Sequence, residues 1–161
     1  MRRFHHYLTF LCLTLSISAL VSPVSAQQDK PMLDRGSFSI GAGISDNSVG
    51  RADETGFRFF GAYDLDQVNV MDGVQSSVEF GLMDYGFPND SNGIWGTYVV
   101  EGYISGQLNW LGRAGLDIGD DSGLMFGAGL ALAMDKKSQL RFEYVIRDDV
   151  DSLQVNFLYH M

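Results

Sequence analysis

The sequence predicts an all-β fold, an eight-stranded antiparallel up-and-down transmembrane β-barrel. Three observations predict it. After its first part the chain alternates apolar and polar residues with a period of two, which is the period of a strand and not of a helix. The alternating segments number eight, and an even number of antiparallel strands can close without leaving an edge. One alternating face is rich in charges and glycine, which suits a barrel lumen better than a lipid-facing surface.

Residues 1–26 are predicted to be a secretory signal peptide. Two arginines precede an apolar run, and the small residue Ala26 ends a cleavage site. The run spans about 15 residues, which is shorter than the roughly 20 that a spanning helix needs. We therefore expect export from the cytoplasm, a short periplasmic segment over 27–35 and an outer-membrane barrel over 36–161.

Composition excludes several classes of function. The formal net charge is −9, and nucleic acids select basic faces, so nucleic acid is not expected as a partner. The one cysteine, Cys12, lies in the predicted signal peptide, which excludes a disulfide framework and a thiolate site in the mature chain. The acidic stretches GDDSG and DDVDS lack the spacing of a calcium loop. We expect no cofactor and no metal site.

The eight predicted strands are each about 9–13 residues long, which suits tilted bilayer-spanning strands. They are placed at 36–45, 54–64, 73–85, 95–104, 110–118, 124–134, 139–147 and 152–161. Segment 139–147 shows the pattern, with Leu140, Phe142, Tyr144 and Ile146 opposite two arginines, a glutamate and a valine. We expect the apolar face to contact lipid and the charged face to line the lumen.

The charged face supplies the candidate site, an interior polar network. Its predicted members are Arg58, Glu79, Glu101, Arg113, Asp117, Arg141, Glu143 and Arg147. One interpretation is a gate whose ion pairs switch to open a narrow water path. The other is a set of mutually satisfied charges that fills a small lumen, because unpaired buried charges are costly. We favour the second.

Two further features belong to the membrane interpretation. Aromatic residues near strand ends are predicted to form interfacial girdles, namely Phe57, Tyr63, Trp95, Trp110, Tyr144 and Tyr159. The last strand alternates throughout, and its lipid-facing residues are predicted to be Val155, Phe157, Tyr159 and Met161.

The first, third, fifth and seventh links between strands are predicted to form one acidic rim. Their carboxylates are Asp46, Asp53, Glu54, Asp90, Asp120, Asp121, Asp148, Asp149 and Asp151. Such a rim either binds Ca²⁺ or Mg²⁺ and bridges to lipopolysaccharide phosphates, or forms a solvated, repulsive surface. The second interpretation is favoured. The rim faces outward if the chain begins in the periplasm.

The sequence resembles the outer-membrane β-barrel domain family, which includes the OmpA-type membrane domain and the opacity-type surface proteins. The resemblance rests on LGRAGLDIGDDSGLMFGAGLALAMDKKSQLRFEYVIRDDVDSLQVNFLYHM (111–161) and, more loosely, on VEFGLMDYG (78–86). It implies an eight-stranded barrel with a closed polar interior in the outer membrane of a Gram-negative-type bacterium. It also implies insertion by the barrel-assembly machinery, which reads the last strand, with periplasmic chaperones and outer-membrane lipids as the other partners.

The function expected from the sequence is structural: a small monomeric barrel for envelope integrity or surface display. The alternatives are a narrow porin-like channel for ions or small solutes and a soluble periplasmic barrel that binds a lipophile. Enzymatic activity is not expected. The only histidine after the predicted signal peptide, His160, has no partner pattern and is interpreted as a snorkelling terminal residue.

Overall fold

The computed structural model describes residues 38–65, 68, 70–88, 92–119 and 122–161. The predicted signal peptide and the segment over 27–35 lie outside these residues. No helix long and apolar enough to cross a membrane occurs in the described part of the chain.

The predicted all-β architecture is confirmed as a closed barrel of eight antiparallel strands in chain order. The strands are β1 (Phe38–Val49), β2 (Ala52–Asp64), β3 (Val74–Asp84), β4 (Asn92–Ser105), β5 (Leu108–Gly119), β6 (Gly123–Ala133), β7 (Ser138–Ile146) and β8 (Asp151–His160). β8 closes the barrel against β1, with Ser39 opposite His160 and Ser48 opposite Asp151. Each strand thus has two paired neighbours, and no edge of this sheet remains to recruit another chain.

Burial follows the predicted period of two. On β6, Met125 and Ala131 are fully buried, whereas Leu124 and Phe126, the neighbours of Met125, are exposed. The same alternation of buried and exposed side chains continues around the barrel. Phe59, Phe80 and Ile118 are each 67% exposed on the outer surface, whereas charged residues between the strands' apolar positions are buried. The apolar face therefore points outward and the polar face inward.

β1 and β2 are longer than predicted. The sequence places a link at 46–54, but pairing continues through Asp46↔Thr55 and Ser48↔Asp53 to Val49↔Ala52. Only Gly50 and Arg51 remain as a turn, and Gly50 has a φ of 63°, which glycine adopts without steric cost. Hydrogen-bond pairing between strands does not depend on an apolar face, so the ladder continues past the apolar band into polar sequence.

The barrel has two ends that differ in their links. The acidic end carries the turn at 50–51 and the links at 85–91, 120–122 and 147–150. The terminal end carries the links at 65–73, 106–107 and 134–137 together with the two ends of the strand array, Phe38 and His160.

The link between β6 and β7 supplies a pH prediction. The Asp135 carboxylate accepts hydrogen bonds from the backbone N–H of Lys137 (2.7 Å) and of Ser138 (2.9 Å). Hydrogen bonding lowers the pKa of Asp135 below its usual value. The bond from Lys137 contributes most, and bonds from Ser138 add to it. The ionised form is thus the stabilising one. Its contribution is complete above the unfolded pKa of about 3.9 and is lost as the pH falls through the folded pKa.

We expect Asp135→Ala to reduce stability at neutral pH and to lose that deficit in acid. The measurement is urea unfolding of both proteins from pH 7 down to about pH 2, which is below the ordinary range of an aspartate. A deficit that stays constant through acid would show that the carboxylate charge does not hold this turn.

Candidate functional site: the charged interior

All eight charged residues of the predicted network lie inside the barrel, each 5% exposed or less. They come from β2, β3, β4, β5 and β7 and from the residue that follows β7. The set contains four guanidinium groups and four carboxylates: Arg58, Arg113, Arg141 and Arg147, with Glu79, Glu101, Asp117 and Glu143. Formal charge therefore balances within this set, as burial away from water requires.

Glu79 is the central acceptor of the network. Its Oε1 lies 2.5 Å from Arg141 Nη1, and its Oε2 lies 3.1 Å from Arg113 Nη2. Arg113 Nη2 also contacts Glu143 Oε2 at 2.5 Å, and Arg141 Nη2 lies 3.4 Å from Glu101 Oε2. These contacts join β3, β4, β5 and β7 through a single chain of charges.

Side-chain amides extend the network. Gln139 Nε2 and Asn109 Nδ2 each donate to Glu101 Oε1 at 2.7 Å, and Gln139 Oε1 accepts from Arg141 Nε at 2.8 Å. Asn156 Nδ2 donates to Glu143 Oε1 at 2.8 Å. These amides were not predicted as members, although each lies on the inward parity of its strand.

Inward-facing glycines provide the space for these large side chains. A Cβ atom placed on Gly127 would lie 2.9 Å from Cγ of Arg113, and one on Gly81 would lie 2.5 Å from the ring of Trp95. The glycine content of the charged face is therefore a packing requirement of a narrow eight-stranded barrel.

Arg58 and Trp95 form a second interior unit, which corrects the predicted role of Trp95. The Arg58 guanidinium lies 4.1 Å from the Trp95 ring centroid and 5.1 Å from that of Phe60, and it donates to Gln154 Oε1. Trp95 is 1% exposed, so it belongs to the lumen and not to an interfacial girdle. Its parity, shared with buried Thr97 on β4, is the signal that would have placed it inside.

The other predicted girdle residues lie on the outer surface. Phe57, Tyr63, Trp110, Tyr144 and Tyr159 are between 39% and 55% exposed. The predicted terminal-strand residues share that surface, with Phe157 and Met161 exposed and Val155 half-buried. The Met161 N–H donates to the Phe38 carbonyl at 3.0 Å, which extends the contact between the two ends of the strand array.

His160 is not a snorkelling residue. It is 1% exposed, and a 2.7 Å hydrogen bond joins its Nδ1 to Ser39 Oγ across the β1–β8 seam. Because His160 lies on the inward parity of β8, its side chain points into the lumen instead of along the lipid interface.

Tyr103 corrects a prediction in the opposite sense. Its parity on β4 predicted an inward side chain, but Tyr103 is 41% exposed next to the register shift of that strand.

The described carboxylates of the predicted acidic rim all lie near the acidic end. Asp46, Asp53, Glu54, Asp148 and Asp149 are exposed, and Asp151 is half-buried. Asp90, Asp120 and Asp121 lie outside the described residues. No group of three or more His, Cys, Asp or Glu side chains within the described ranges is arranged to hold a metal ion.

Buried side chains fill the centre of the lumen. Arg58, Glu79, Gln139 and Gln154 have no solvent-exposed surface. A water-sized path along the lumen would expose some of these side chains, so the described interior contains no such path beside them. Its charges neutralise one another and hold the strands together.

Known proteins match this chain in structure and not in sequence. No protein-family model matches the chain, and no curated protein matches it. A de novo designed transmembrane β-barrel matches with a TM-score of 0.58 at 16% identity, covering 83% of this chain and 98% of that one. The outer membrane enzyme PagL matches with a TM-score of 0.54 at 10% identity, covering 76% and 99%.

The outer membrane protein Ail of Yersinia pestis, solved in a phospholipid bilayer nanodisc, matches with a TM-score of 0.50 at 14% identity. The match covers 77% of this chain and 99% of Ail. At these identities the likeness concerns the fold. The chain has the closed eight-stranded antiparallel fold found in small transmembrane β-barrels.

Proposed function

We propose that this chain is a small monomeric outer-membrane β-barrel with a structural role in envelope integrity or surface display and no catalytic activity. The observation that carries the proposal is the inverted burial: charged side chains are enclosed, and large apolar side chains are exposed around the circumference. Such a surface is stable in a lipid bilayer and is a liability in water.

The same inversion weighs against the soluble alternative. A soluble barrel that binds a lipophile would need apolar side chains within and charged ones facing water. Here Phe80 and Leu82 are at least 60% exposed, whereas Glu79, the residue before Phe80, is fully buried. The resemblance of residues 111–161 to the OmpA-type and opacity-type barrels supports the same assignment.

A structural role is supported by the filled lumen. The four arginines and four carboxylates balance, and their hydrogen bonds join the strands that enclose them. We propose export by the predicted signal peptide, insertion by the barrel-assembly machinery, and outer-membrane phospholipid and lipopolysaccharide as the surrounding partners. The exposed acidic rim then forms a hydrated surface outside the membrane.

Conductance tests the structural role against the channel alternative. We expect purified protein in planar lipid bilayers to give no discrete current steps at neutral pH, because the described interior leaves no water path beside the buried charges. Reproducible steps that scale with salt concentration would replace the structural role with that of a narrow porin-like channel.

Membrane location is tested separately. We expect the full-length protein, expressed in a Gram-negative host, to resist carbonate extraction from the outer-membrane fraction and to migrate differently on gels with and without boiling. Recovery in the soluble periplasmic fraction without detergent would overturn the membrane assignment.

A further inference from the structure

We propose that a closed ring of five hydrogen-bonded residues is a latch that shuts the lumen at the acidic end. The ring is distinct from the central charge network around Glu79. Its members are Asn47, Tyr85, Asp117, Arg147 and Ser152, each 5% exposed or less. Of these, only Asp117 and Arg147 were predicted from the sequence.

The ring can be followed atom by atom. Asn47 Nδ2 donates to the Tyr85 carbonyl at 2.9 Å, and the Tyr85 hydroxyl donates to Asp117 Oδ2 at 2.5 Å. Arg147 Nε donates to the same Asp117 oxygen at 2.9 Å, and its Nη1 donates to Ser152 Oγ at 2.7 Å. Ser152 Oγ then donates to Asn47 Oδ1 at 2.6 Å, which closes the cycle.

The ring ties two links to the wall of the barrel. Tyr85 begins the link between β3 and β4, and Arg147 begins the link between β7 and β8, whereas the other three members stand on β1, β5 and β8. The Arg147 guanidinium also lies 5.4 Å from the Tyr85 ring centroid. Both links are thus held across the opening and not only along its edge.

Apolar side chains from the same two links are buried in one cluster with residues of the barrel wall. Val150 is 5% exposed and Tyr85 1% exposed in a buried cluster with Met83 and Met125, and Phe87 packs against that cluster. Gly86, between Tyr85 and Phe87, has a φ of 84°, a conformation that lets the chain turn back at this point. Links that lay flat on the rim would leave these side chains in water.

Loss of the ring is expected to open the lumen from one end only. The ring and the apolar cluster close one mouth, so breaking the ring should expose the lumen from the acidic end while the central charges stay paired. The inference rests on the proposed function only in assigning the acidic end to the outside of the cell. The proposed closure does not depend on that orientation, so it can be tested on the barrel in detergent.

Cysteine labelling tests the latch directly. The sequence after residue 26 contains no cysteine, so a single introduced thiol reports without background. Ser45 is the reporter position, because it is 2% exposed and lies two residues below Asn47 on the inward face of β1. The probe is a charged, membrane-impermeant methanethiosulfonate applied to folded protein in detergent micelles.

Ser152→Ala is the latch variant, and Ser39→Ala is its matched control. Ser152→Ala removes two bonds of the ring with the loss of one oxygen atom. Ser39→Ala removes a buried serine hydroxyl that bonds His160 at the terminal end of the same β1–β8 seam. Boiled and unboiled gel migration is compared for both, so that a barrel that failed to fold is recognised before labelling.

We expect the Ser45→Cys barrel to label slowly, and Ser152→Ala to raise its rate about tenfold, since two buried hydrogen bonds that favour the closed mouth are lost. Ser39→Ala is expected to leave the labelling rate at position 45 unchanged. Two results would overturn the latch: equal acceleration by both serine variants, or labelling of the intact Ser45→Cys barrel as fast as that of Ser48→Cys on the exposed rim. If the membrane assignment fails while Ser152→Ala alone accelerates labelling, the latch stands and only its outward orientation falls.

Discussion

Glu79→Ala is expected to destabilise the barrel by about 3–5 kcal/mol, because it leaves buried arginines without their shared acceptor. Glu79 lies within 3.1 Å of both Arg113 and Arg141. Each arginine keeps one other carboxylate, Glu143 or Glu101, so the network retains three negative charges against four positive ones. Equilibrium urea unfolding in detergent, followed by tryptophan fluorescence, measures the loss.

Glu54→Ala is the control for that measurement. Glu54 carries the same charge but is exposed at the acidic end of β2. Substitutions at such surface positions change stability by no more than about 0.5 kcal/mol. If the two variants unfold at the same urea concentration, the interior charges contribute nothing as a network, and the filled-lumen interpretation fails.

Phe142→Arg is expected to cost about 2–4 kcal/mol, the cost of a lipid-facing arginine near the bilayer midplane. Phe142 is the middle residue of β7 and is 48% exposed on the apolar surface. The readout is the fraction of protein that becomes heat-modifiable after refolding into lipid vesicles, together with the unfolding midpoint of that fraction.

Ile146→Arg separates membrane depth from simple loss of an apolar side chain. Ile146 lies on the same face of the same strand and is similarly exposed, but it ends β7 at the acidic rim. Arginine near an interface costs about 0–1 kcal/mol. Equal effects at the two positions would contradict a bilayer around this surface.

The fold could be predicted from sequence because the period of two is a local signal. On β7 the alternation already indicates that Arg141 and Glu143 share one face and that Phe142 lies on the other. Strand ends were less predictable, since the ladder between β1 and β2 runs on through Asp46 and Ser48, whose polarity indicated a link. The polarity of a side chain indicates whether its surroundings are water or lipid. Backbone pairing between strands can form with either kind of side chain.

The composition of the interior could be predicted, but its partnerships could not. Parity places Glu79 and Arg141 inside, yet their contact joins residues 62 positions apart and depends on the stagger of the whole barrel. Trp95 shows how a residue-type rule fails: tryptophan favours interfaces, but the glycine opposite it at position 81 makes room for the ring inside the lumen. Tyr85 of the latch lies in the predicted strand over 73–85 and shares the parity of Glu79, so alternation places it inside, but its bond to Asp117 joins residues 32 positions apart.

The seam between β1 and β8 has a kinetic consequence. Ser39 and His160 are 121 positions apart, so β1 cannot pair with β8 until the chain between them has been synthesised. Contacts of such long sequence separation slow folding, because loop-closure entropy is lost before the pairing energy is gained. We therefore expect the β1–β8 seam to close after hairpins have formed between strands that are neighbours in the chain.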